Sequence, residues 1–321
     1  MIPALLLGFS LVASPALMQD TVRFTPTIQQ PTFAKREPVL RIKPGTVLIS
    51  KTHFGPYYTP EGGAFPGEVG PFWIEGATPN DMLKIEVIRV HPNHRYAASQ
   101  IYPDFGGLGT ESRVRFLNEK LEPKRYLWEI DTVRNVATTP MPDSRVGRME
   151  LDLQPMLGRL AVAPRGDEAF AGLWPGDFGG NMDAPEVKPG TTVYLPVFHE
   201  GAYFYFGDGH ARQGQGEVNG TGLETSMDVV LKIDLIKGKA IEWPRLEDAE
   251  HIMVAGSARP LIDAFRLAHV ELIEWLEEEY GFSKMDAYTL LGQAGESTVA
   301  NIVDPNYTVV AKIKKRYIGR E

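Results

Sequence analysis

Residues 193–217 read VYLPVFHEGAYFYFGDGHARQGQGE, two apolar, aromatic-rich runs that are each followed by a polar loop. Short apolar runs bounded by glycine and proline are typical of buried strands, so residues 193–198 and 203–206 predict two strands. If the second run is extended, Asp208 and His210 are two residues apart and project from the same face. A carboxylate and an imidazole at a strand end indicate a metal-binding or proton-transferring site. A glycine-rich hairpin with incidental polar residues is the alternative.

A second glycine-rich segment, PGDFGGNMD at residues 175–183, supplies more oxygen ligands. Asn181 and Asp183 repeat the two-residue spacing, and Glu217 ends the first loop. Two such loops, separated by a strand, are what a divalent cation or an activated water requires. From chemistry and spacing, Glu217 is the candidate general base and His210 a second candidate catalytic residue. The candidate ligands of zinc, manganese or calcium are Asp208, His210, Asn181 and Asp183.

At these loops the chain resembles the acetamidase/formamidase family. The shared motifs are GGNMD at 179–183, LPVF at 195–198 and GDGHARQGQGE at 207–217, with PFWIEGATPNDML at 71–83 and PMLGRLAVAP at 155–164 upstream. Their order is consistent from about residue 37 to 300, which is far more specific than a single short motif. The resemblance implies a hydrolase of carbon–nitrogen bonds in short linear amides such as formamide and acetamide, which releases ammonia and a carboxylate.

The sequence also limits how an amide could be attacked. Cysteine is absent, which excludes cysteine nucleophiles, disulfides and cysteine-ligated zinc. The Gly-x-Ser-x-Gly, His-Glu-x-x-His and Gly-Gly-Ser-Ser patterns of other hydrolases are missing as well. Water, activated by a bound cation, is therefore the expected nucleophile.

Further residues are candidates for contact with the substrate. His53 precedes a glycine-rich stretch and His199 follows the first strand, whereas Asp104 resembles part of the family's glycine-rich segment at 102–109. Two alternatives stay open: a hydrolase of a bulkier amide, and a secreted, non-catalytic β-sandwich protein that binds a structural cation or a carbohydrate. The first is suggested by aromatic residues beyond the usual pattern, among them Phe72, Trp73, Trp174, Tyr203 and Tyr205, the last also a candidate substrate-binding residue.

The chain is expected to have a mainly β (α+β) fold, with an antiparallel β-sandwich-like core and C-terminal helices. Leu83, Ile85 and Val87 alternate with polar residues, as in half-buried antiparallel strands. Apolar residues recur at three- and four-residue steps from about 260 to 280, which predicts a helix. Residues 283–286 have the spacing of a capping box and predict the start of a second helix.

Composition and the first residues suggest where the protein works. An apolar run followed by Ser14-Pro15-Ala16 predicts a signal peptide at 1–18, then a linker at 19–37 and one domain at 38–321. Export to the periplasm or the medium is the expectation, and a cytoplasmic location is the alternative. A net charge of −8 disfavours nucleic acid as a partner, and the apolar run is too short to span a membrane. We expect a homo-oligomer, most simply a dimer, that binds a small-molecule amide.

Overall fold

The structure, a computed structural model, describes residues 20–103, 105–108 and 122–319. Strands dominate and both α-helices of these residues lie near the C-terminal end, which confirms the predicted fold class. Short 3₁₀ turns lie at Pro56–Tyr58 and Lys315–Tyr317. The helices are α1 Leu261–Tyr280 and α2 Lys284–Ala294. The strands are β1 Thr21–Arg23, β2 Thr32–Ala34, β3 Leu40–Ile42, β4 Thr46–Lys51, β5 Val69–Ile74, β6 Met82–Pro92, β7 Tyr96–Ile101, β8 Lys124–Asp131, β9 Val136–Met141, β10 Gly147–Asp152, β11 Met156–Ala161, β12 Ala169–Ala171, β13 Pro175–Gly176, β14 Gly179–Asn181, β15 Thr192–Pro196, β16 Phe204–His210, β17 Met227–Ile236, β18 Arg245–Glu247, β19 His251–Ala258, β20 Glu296–Asn301 and β21 Tyr307–Lys314.

Two large sheets carry the fold. A nine-stranded sheet has the order β1-β4-β17-β6-β15-β18-β19-β21-β20, and a six-stranded sheet has the order β13-β14-β11-β16-β5-β3. A four-stranded sheet (β10-β9-β8-β7) and the pair β12-β2 complete the strands of the described residues. The pairs β1–β4 and β3–β5 are parallel, whereas the central pairs of both large sheets are antiparallel.

One apolar core lies between the two large sheets. It includes Leu83 and Leu231 of the nine-stranded sheet and Leu160 and Phe204 of the six-stranded sheet, all fully buried. Along β6, buried Leu83, Ile85 and Val87 alternate with half-buried Lys84 and Glu86, as the sequence predicts. The alternation turns one face of the strand inward and explains why the two sheets pack as layers.

The two helices cover one end of the nine-stranded sheet and form a second apolar core with β19 and β21. A Cβ at Gly256 of β19 would lie 2.5 Å from the backbone nitrogen of Ala268, so glycine is what lets α1 approach the sheet this closely. Gly281 (φ 71°) ends α1 in the left-handed conformation. The hydroxyl of Ser283 accepts a hydrogen bond from the backbone N–H of Asp286, which confirms the predicted cap of α2.

The segment that the sequence analysis assigns to a linker packs on the domain from residue 20 onward. Thr21–Arg23 pairs with β4, and Thr32–Ala34 pairs with β12. Phe33 is fully buried against Phe178 and Tyr205, with ring centroids 5.8 Å from each. The segment lacks apolar periodicity because it makes single short pairings rather than a long strand. The predicted signal peptide lies outside the described residues.

Within the described ranges, neither helix is long and apolar enough to cross a membrane.

Candidate active site

The six-stranded sheet brings together the two polar segments found in the sequence. In this sheet β11 lies between β14 and β16, and Arg159 of β11 pairs with Asn181 on one side and Gly207 on the other. Asp183 follows the end of β14, and Asp208 lies within β16. The two segments therefore meet across β11, whereas the strand that separates them in the sequence, β15, belongs to the nine-stranded sheet.

Backbone geometry holds the carboxylates in place. A Cβ at Gly158 would lie 2.3 Å from Asp183 Oδ1 and 2.7 Å from Asp208 Oδ2, so only glycine leaves room for both side chains. Asp183, Asp208 and Glu217 have φ angles of 43°, 57° and 48°. This left-handed region costs a non-glycine residue roughly 1 kcal/mol or more, and such residues cluster at functional sites.

His210 is buried beneath these carboxylates, and Gln213 fixes its orientation. The side-chain nitrogen of Gln213 donates to the backbone oxygens of Asp183 (2.6 Å) and Ala300 (3.0 Å). Its oxygen therefore faces His210 and accepts from Nδ1 at 2.9 Å. Since an amide oxygen can only accept, Nδ1 carries a hydrogen, and Nε2 of the neutral ring presents its lone pair to the carboxylates.

The Nε2 atom of His210 is the centre of a group of donor atoms. It lies 3.1 Å from Glu224 Oε2, 3.3 Å from Asp208 Oδ1 and 4.0 Å from Asp183 Oδ1. Burial alone would lower the pKa of His210, but the charges of Glu224 and Asp208 outweigh it and raise this pKa well above the ordinary value. The surroundings of Nε2 thus attract positive charge strongly.

We call the surrounding acidic groups the carboxylate cluster; it comprises Glu68, Asp183, Asp208, Glu217, Glu224 and Asp304. All six are buried; Arg159 is a permanent cation among them, and His210 adds a positive charge only when it is protonated. Negative charge therefore exceeds positive charge at this site when the carboxyl groups are ionised, and like charges at this spacing cannot all ionise.

The pKa values reflect this excess. Burial and then the neighbouring carboxylates raise the pKa of Asp183 and of Glu217 well above their ordinary values. Burial likewise raises the pKa of Glu224 to about 7, although His210 opposes the shift. Asp208 behaves in the opposite way, because Arg159 and His210 outweigh its burial and lower its pKa.

Arg159 ties the sheet to one side of the carboxylate cluster. Its Nη1 donates to Glu68 Oε1 at 2.8 Å, and its Nε lies 3.2 Å from Asp208 Oδ2 and also donates to Asn181 Oδ1. Burial raises the pKa of Glu68 to about 7 even beside this arginine. Arg159 thereby orients Asp208 and Glu68 with a guanidinium that remains charged.

Asn181 is fully engaged with its neighbours. Its Nδ2 donates to Asp183 Oδ2 and to Asp304 Oδ2, while Asn301 donates to the same two carboxylates. The side-chain oxygen of Asn181 is occupied by Arg159. Asn181 therefore connects carboxylates in this structure, whereas Glu224 Oε2 lies 3.1 Å from Nε2 of His210 without a hydrogen bond.

The unpartnered atoms test whether a cation fits. Among the described residues, five buried atoms of this site have no hydrogen-bond partner: Glu68 Oε2, Asp183 Oδ1, Asp208 Oδ1, His210 Nε2 and Glu224 Oε2. Ligand atoms of Asp183, Asp208 and His210 lie within 4.8 Å of one another, as do those of His210, Glu217 and Glu224. Buried polar atoms are rarely left unpaired, so this donor set fits a divalent cation.

The carboxylate cluster forms the floor of a cavity of about 910 Å³. All six acidic side chains and Arg159 line it. Gln29, Gln30 and Pro31, from the segment predicted as a linker, line it too. The floor is therefore accessible to a small molecule although its side chains are almost completely removed from the protein surface.

The structure places the four predicted substrate-binding residues elsewhere or leaves them undescribed. His53 lies at a separate cavity, with Nε2 3.0 Å from the backbone oxygen of Ile28. His199 Nε2 is 2.6 Å from the oxygen of Pro164, and the hydroxyl of fully buried Tyr205 donates to the oxygen of Ala34. None of these three described residues lines the cavity. Asp104 lies outside the described residues.

Several residues of the floor were not found from the sequence. They are Glu68, Arg159, Glu224, Asp304, Asn301 and, as a partner of His210, Gln213. One signal was available: Arg159 is the single charged residue in the apolar motif PMLGRLAVAP, and a charge inside a buried strand requires a partner. Glu224 and Asp304 stand outside the motifs, and only the fold brings them here.

Comparisons with known proteins agree with the motifs. A sequence model of the Acetamidase/Formamidase family matches residues 99–316. Acetamidase from Mycolicibacterium smegmatis is 25% identical over 294 residues, which cover 70% of this chain and 71% of that protein. Formamidase from Methylophilus methylotrophus is 27% identical over 298 residues, covering 74% and 73%. The crystal structure of an acetamidase from Yersinia enterocolitica matches with a TM-score of 0.85 and 33% identity, covering 95% of each chain.

Proposed function

The chain belongs to the acetamidase/formamidase family, and we propose from this membership and the geometry of the floor that it is an amidase. The reaction is hydrolysis of a carbon–nitrogen bond, in which water adds to the amide carbonyl and the nitrogen departs. The observation that carries the proposal is the carboxylate cluster, which lines a large cavity and holds Asp208 and Glu224 at 3.3 Å and 3.1 Å from Nε2 of His210. Formamide and acetamide, named by the relatives, are the first substrates to test; each would yield ammonia and a carboxylate.

Glu217 is the proposed general base. It lines the cavity, and its burial, together with the like charges around it, raises its pKa. A carboxylate with a raised pKa accepts a proton from the attacking water more readily, and returns it to the leaving nitrogen. The absence of cysteine and of a Gly-x-Ser-x-Gly motif favours water over a side-chain nucleophile.

We further propose that Asp183, Asp208, His210 and Glu224 hold a divalent cation, with Asn181 positioning Asp183. Carboxylate oxygens and an imidazole nitrogen suit zinc or manganese, and more carboxylate oxygens suit calcium. Bound there, the cation would polarise the amide carbonyl, lower the pKa of a water molecule and offset the excess negative charge. Gln213 presents the lone pair of His210 to that position.

Arg159 and the strained backbone hold the reacting side chains in position and take no direct part in the reaction. Arg159 keeps Asp208 charged and fixed, while Gly158 lets Asp183 and Asp208 meet above β11. Residues held this rigidly cost little reorganisation when charge develops on the substrate oxygen. Export and dimerisation stay predictions from the sequence.

Two measurements on purified full-length protein test the proposal. Metal content per chain is measured first, and ammonia release from formamide and acetamide second. The amidase proposal predicts ammonia release that chelator treatment abolishes and one divalent metal restores. Protein that binds metal but releases no ammonia from any amide would contradict the enzyme and favour the non-catalytic binding protein. Hydrolysis by metal-free protein would contradict the cation but not the amidase.

A further inference from the structure

Another part of the cavity lining is apolar and aromatic. This part includes Tyr57, Phe65, Tyr102, Phe105 and Leu173, which we call the aromatic wall. The ring centroids of Tyr57 and Phe65 are 5.1 Å apart, and those of Tyr102 and Phe105 are 6.3 Å apart, both in edge-to-face arrangements. The tyrosine hydroxyls of Tyr57 and Tyr102 lie 3.5 Å from each other. The four rings of the wall thus form two packed pairs whose tyrosine hydroxyls are neighbours, and Leu173 adds an aliphatic side chain.

The aromatic wall is continuous with the catalytic floor. The guanidinium carbon of Arg159 lies 5.2 Å from the ring centroid of Phe65, and the same arginine bonds Glu68 on the floor. A substituent on an amide bound at the carboxylate cluster would therefore lie near Phe65, whose ring packs against Tyr57. Leu173, about 45% exposed, lies on the lining and is accessible to solvent.

Size and charge together define what this space accepts. Formamide and acetamide have only a few non-hydrogen atoms, whereas cavities of 300–1,000 Å³ enclose ligands of drug size. Apart from Arg159, the charged residues that line the cavity are acidic, so an anionic substituent would be repelled. Burying apolar surface of the rings and of the ligand stabilises the complex by about 25 cal/mol for each Å² removed from water.

We infer that the preferred substrates are neutral amides that carry an aromatic or extended alkyl group, which packs against the aromatic wall. This inference rests on the proposed amidase function and specifies the substrate class of the same site. The large group is on the acyl carbon or on the nitrogen, and both kinds of compound present the same apolar surface to the wall.

The test is a substrate series measured as kcat/KM with the metal-replete, full-length enzyme. Acetamide, butyramide, hexanamide and phenylacetamide extend the acyl group, N-benzylacetamide extends the nitrogen side, and succinamate is the anionic control. We expect kcat/KM to rise about fourfold for each methylene buried, which corresponds to about 0.8 kcal/mol. Succinamate should be poorer than the neutral amide of similar length.

Variants locate the effect at the wall. Tyr102→Ala and Leu173→Ala should each lower the ratio of kcat/KM for phenylacetamide to that for acetamide, the former by about tenfold. Leu173 is partly exposed, so its variant should fold even if Tyr102→Ala does not. Tyr288→Ala, on the exposed face of α2, removes a comparable ring far from the cavity and should leave both values unchanged.

The outcomes separate the two proposals. A rise along either the acyl or the nitrogen series, reduced by the wall variants, supports the inference. If acetamide is hydrolysed but kcat/KM stays flat or falls as the substituent grows, the inference is overturned and the amidase stands. If no amide of the series is hydrolysed, the amidase proposal fails, and this inference fails with it.

Discussion

Two buried arginines of this protein, Arg245 and Arg159, lie among carboxylates, but the carboxylates around them are paired to different extents. Arg245 donates from Nε to buried Glu271 at 2.8 Å, and its Nη1 reaches the partly exposed Glu278 at 3.2 Å. Its guanidinium also lies 5.2 Å from the ring centroid of Trp275. Arg159 lies instead beside the carboxylate cluster and His210, where five buried atoms have no hydrogen-bond partner among the described residues.

The difference shows how a structural ion pair can be told from a functional site. At Arg245 one buried charge matches one buried carboxylate, and the pair joins α1 to β18 next to the second apolar core. At Arg159 the buried negative charge is in excess, the backbone is strained at Asp183, Asp208 and Glu217, and the carboxylate cluster lines a cavity. Both arginines are buried beside charged carboxylates. An excess of negative charge and a cavity that a ligand can enter distinguish the surroundings of Arg159 as a functional site.

The largest effect is expected from Glu217→Gln. The substitution keeps the shape of the side chain and removes the base, so turnover of acetamide should fall by roughly 10²–10⁴-fold. The thermal midpoint should stay near that of the wild type, because one charge has left a site with too many like charges. Activity and thermal unfolding are measured on the same preparation. Near-normal turnover with a lowered midpoint would make Glu217 a structural residue.

At the other arginine, Arg245→Met should destabilise the protein without affecting catalysis. It leaves Glu271 buried without its cation, which should lower the free energy of unfolding by about 3 kcal/mol. The double variant Arg245→Met/Glu271→Leu replaces the pair with apolar groups and should recover most of that loss. Denaturant unfolding checks both variants, and amide hydrolysis is assayed well below the midpoint. Reduced turnover by the folded variant would remove the distinction between the two regions.

Asp81, a buried carboxylate away from both arginines, adds a comparison of stability at different pH values. Asp81 is buried, which would raise its pKa, but bonds from Lys237 (2.6 Å), the Gly238 N–H and Thr78 outweigh burial and lower its pKa to about 2. A lowered pKa stabilises the fold above the ordinary value of 3.8, and this stabilisation is lost as the pH falls toward 2. Asp81→Asn should therefore cost roughly 2 kcal/mol at pH 7 and much less near pH 2.

Denaturant unfolding of the wild type and Asp81→Asn at pH 7, 4 and 2.5 gives the comparison. Activity at pH 7 should be unchanged, because this carboxylate is fully bonded and away from the cavity. A loss of stability that is independent of pH would show that packing, rather than charge, gives Asp81 its role.

The fold was readable from the sequence because its signals are local. Alternation at Leu83, Ile85 and Val87 marks a half-buried strand, and the cap at Ser283 needs only Asp286, three residues on. The meeting of Asp183 with Asp208 depends on β11, an upstream strand that pairs with both β14 and β16, and so is not given by the spacing of the two motifs alone. The linker prediction for 19–37 differs from the structure, because short pairings such as Thr21–Arg23 with β4 leave no periodic pattern.

The rest of the site depends on contacts between residues far apart in the chain. Glu68 precedes β5, Glu224 lies before β17, and Asp304 lies between β20 and β21, so no spacing rule links them. His199 and Tyr205 stand next to the motif residues yet bond to backbone oxygens of Pro164 and Ala34. Proximity in sequence to a motif did not predict which face a side chain takes.

The most direct test of the account neutralises one carboxylate in each region by an isosteric change. Asp208→Asn suits the left-handed backbone at that position, and Glu271→Gln is its matched control in the Arg245 pair. Ammonia release from acetamide is measured for both variants beside the wild type. The account predicts background activity for Asp208→Asn and wild-type kcat/KM for Glu271→Gln. Wild-type hydrolysis by Asp208→Asn would contradict the claim that the carboxylate cluster is the catalytic centre.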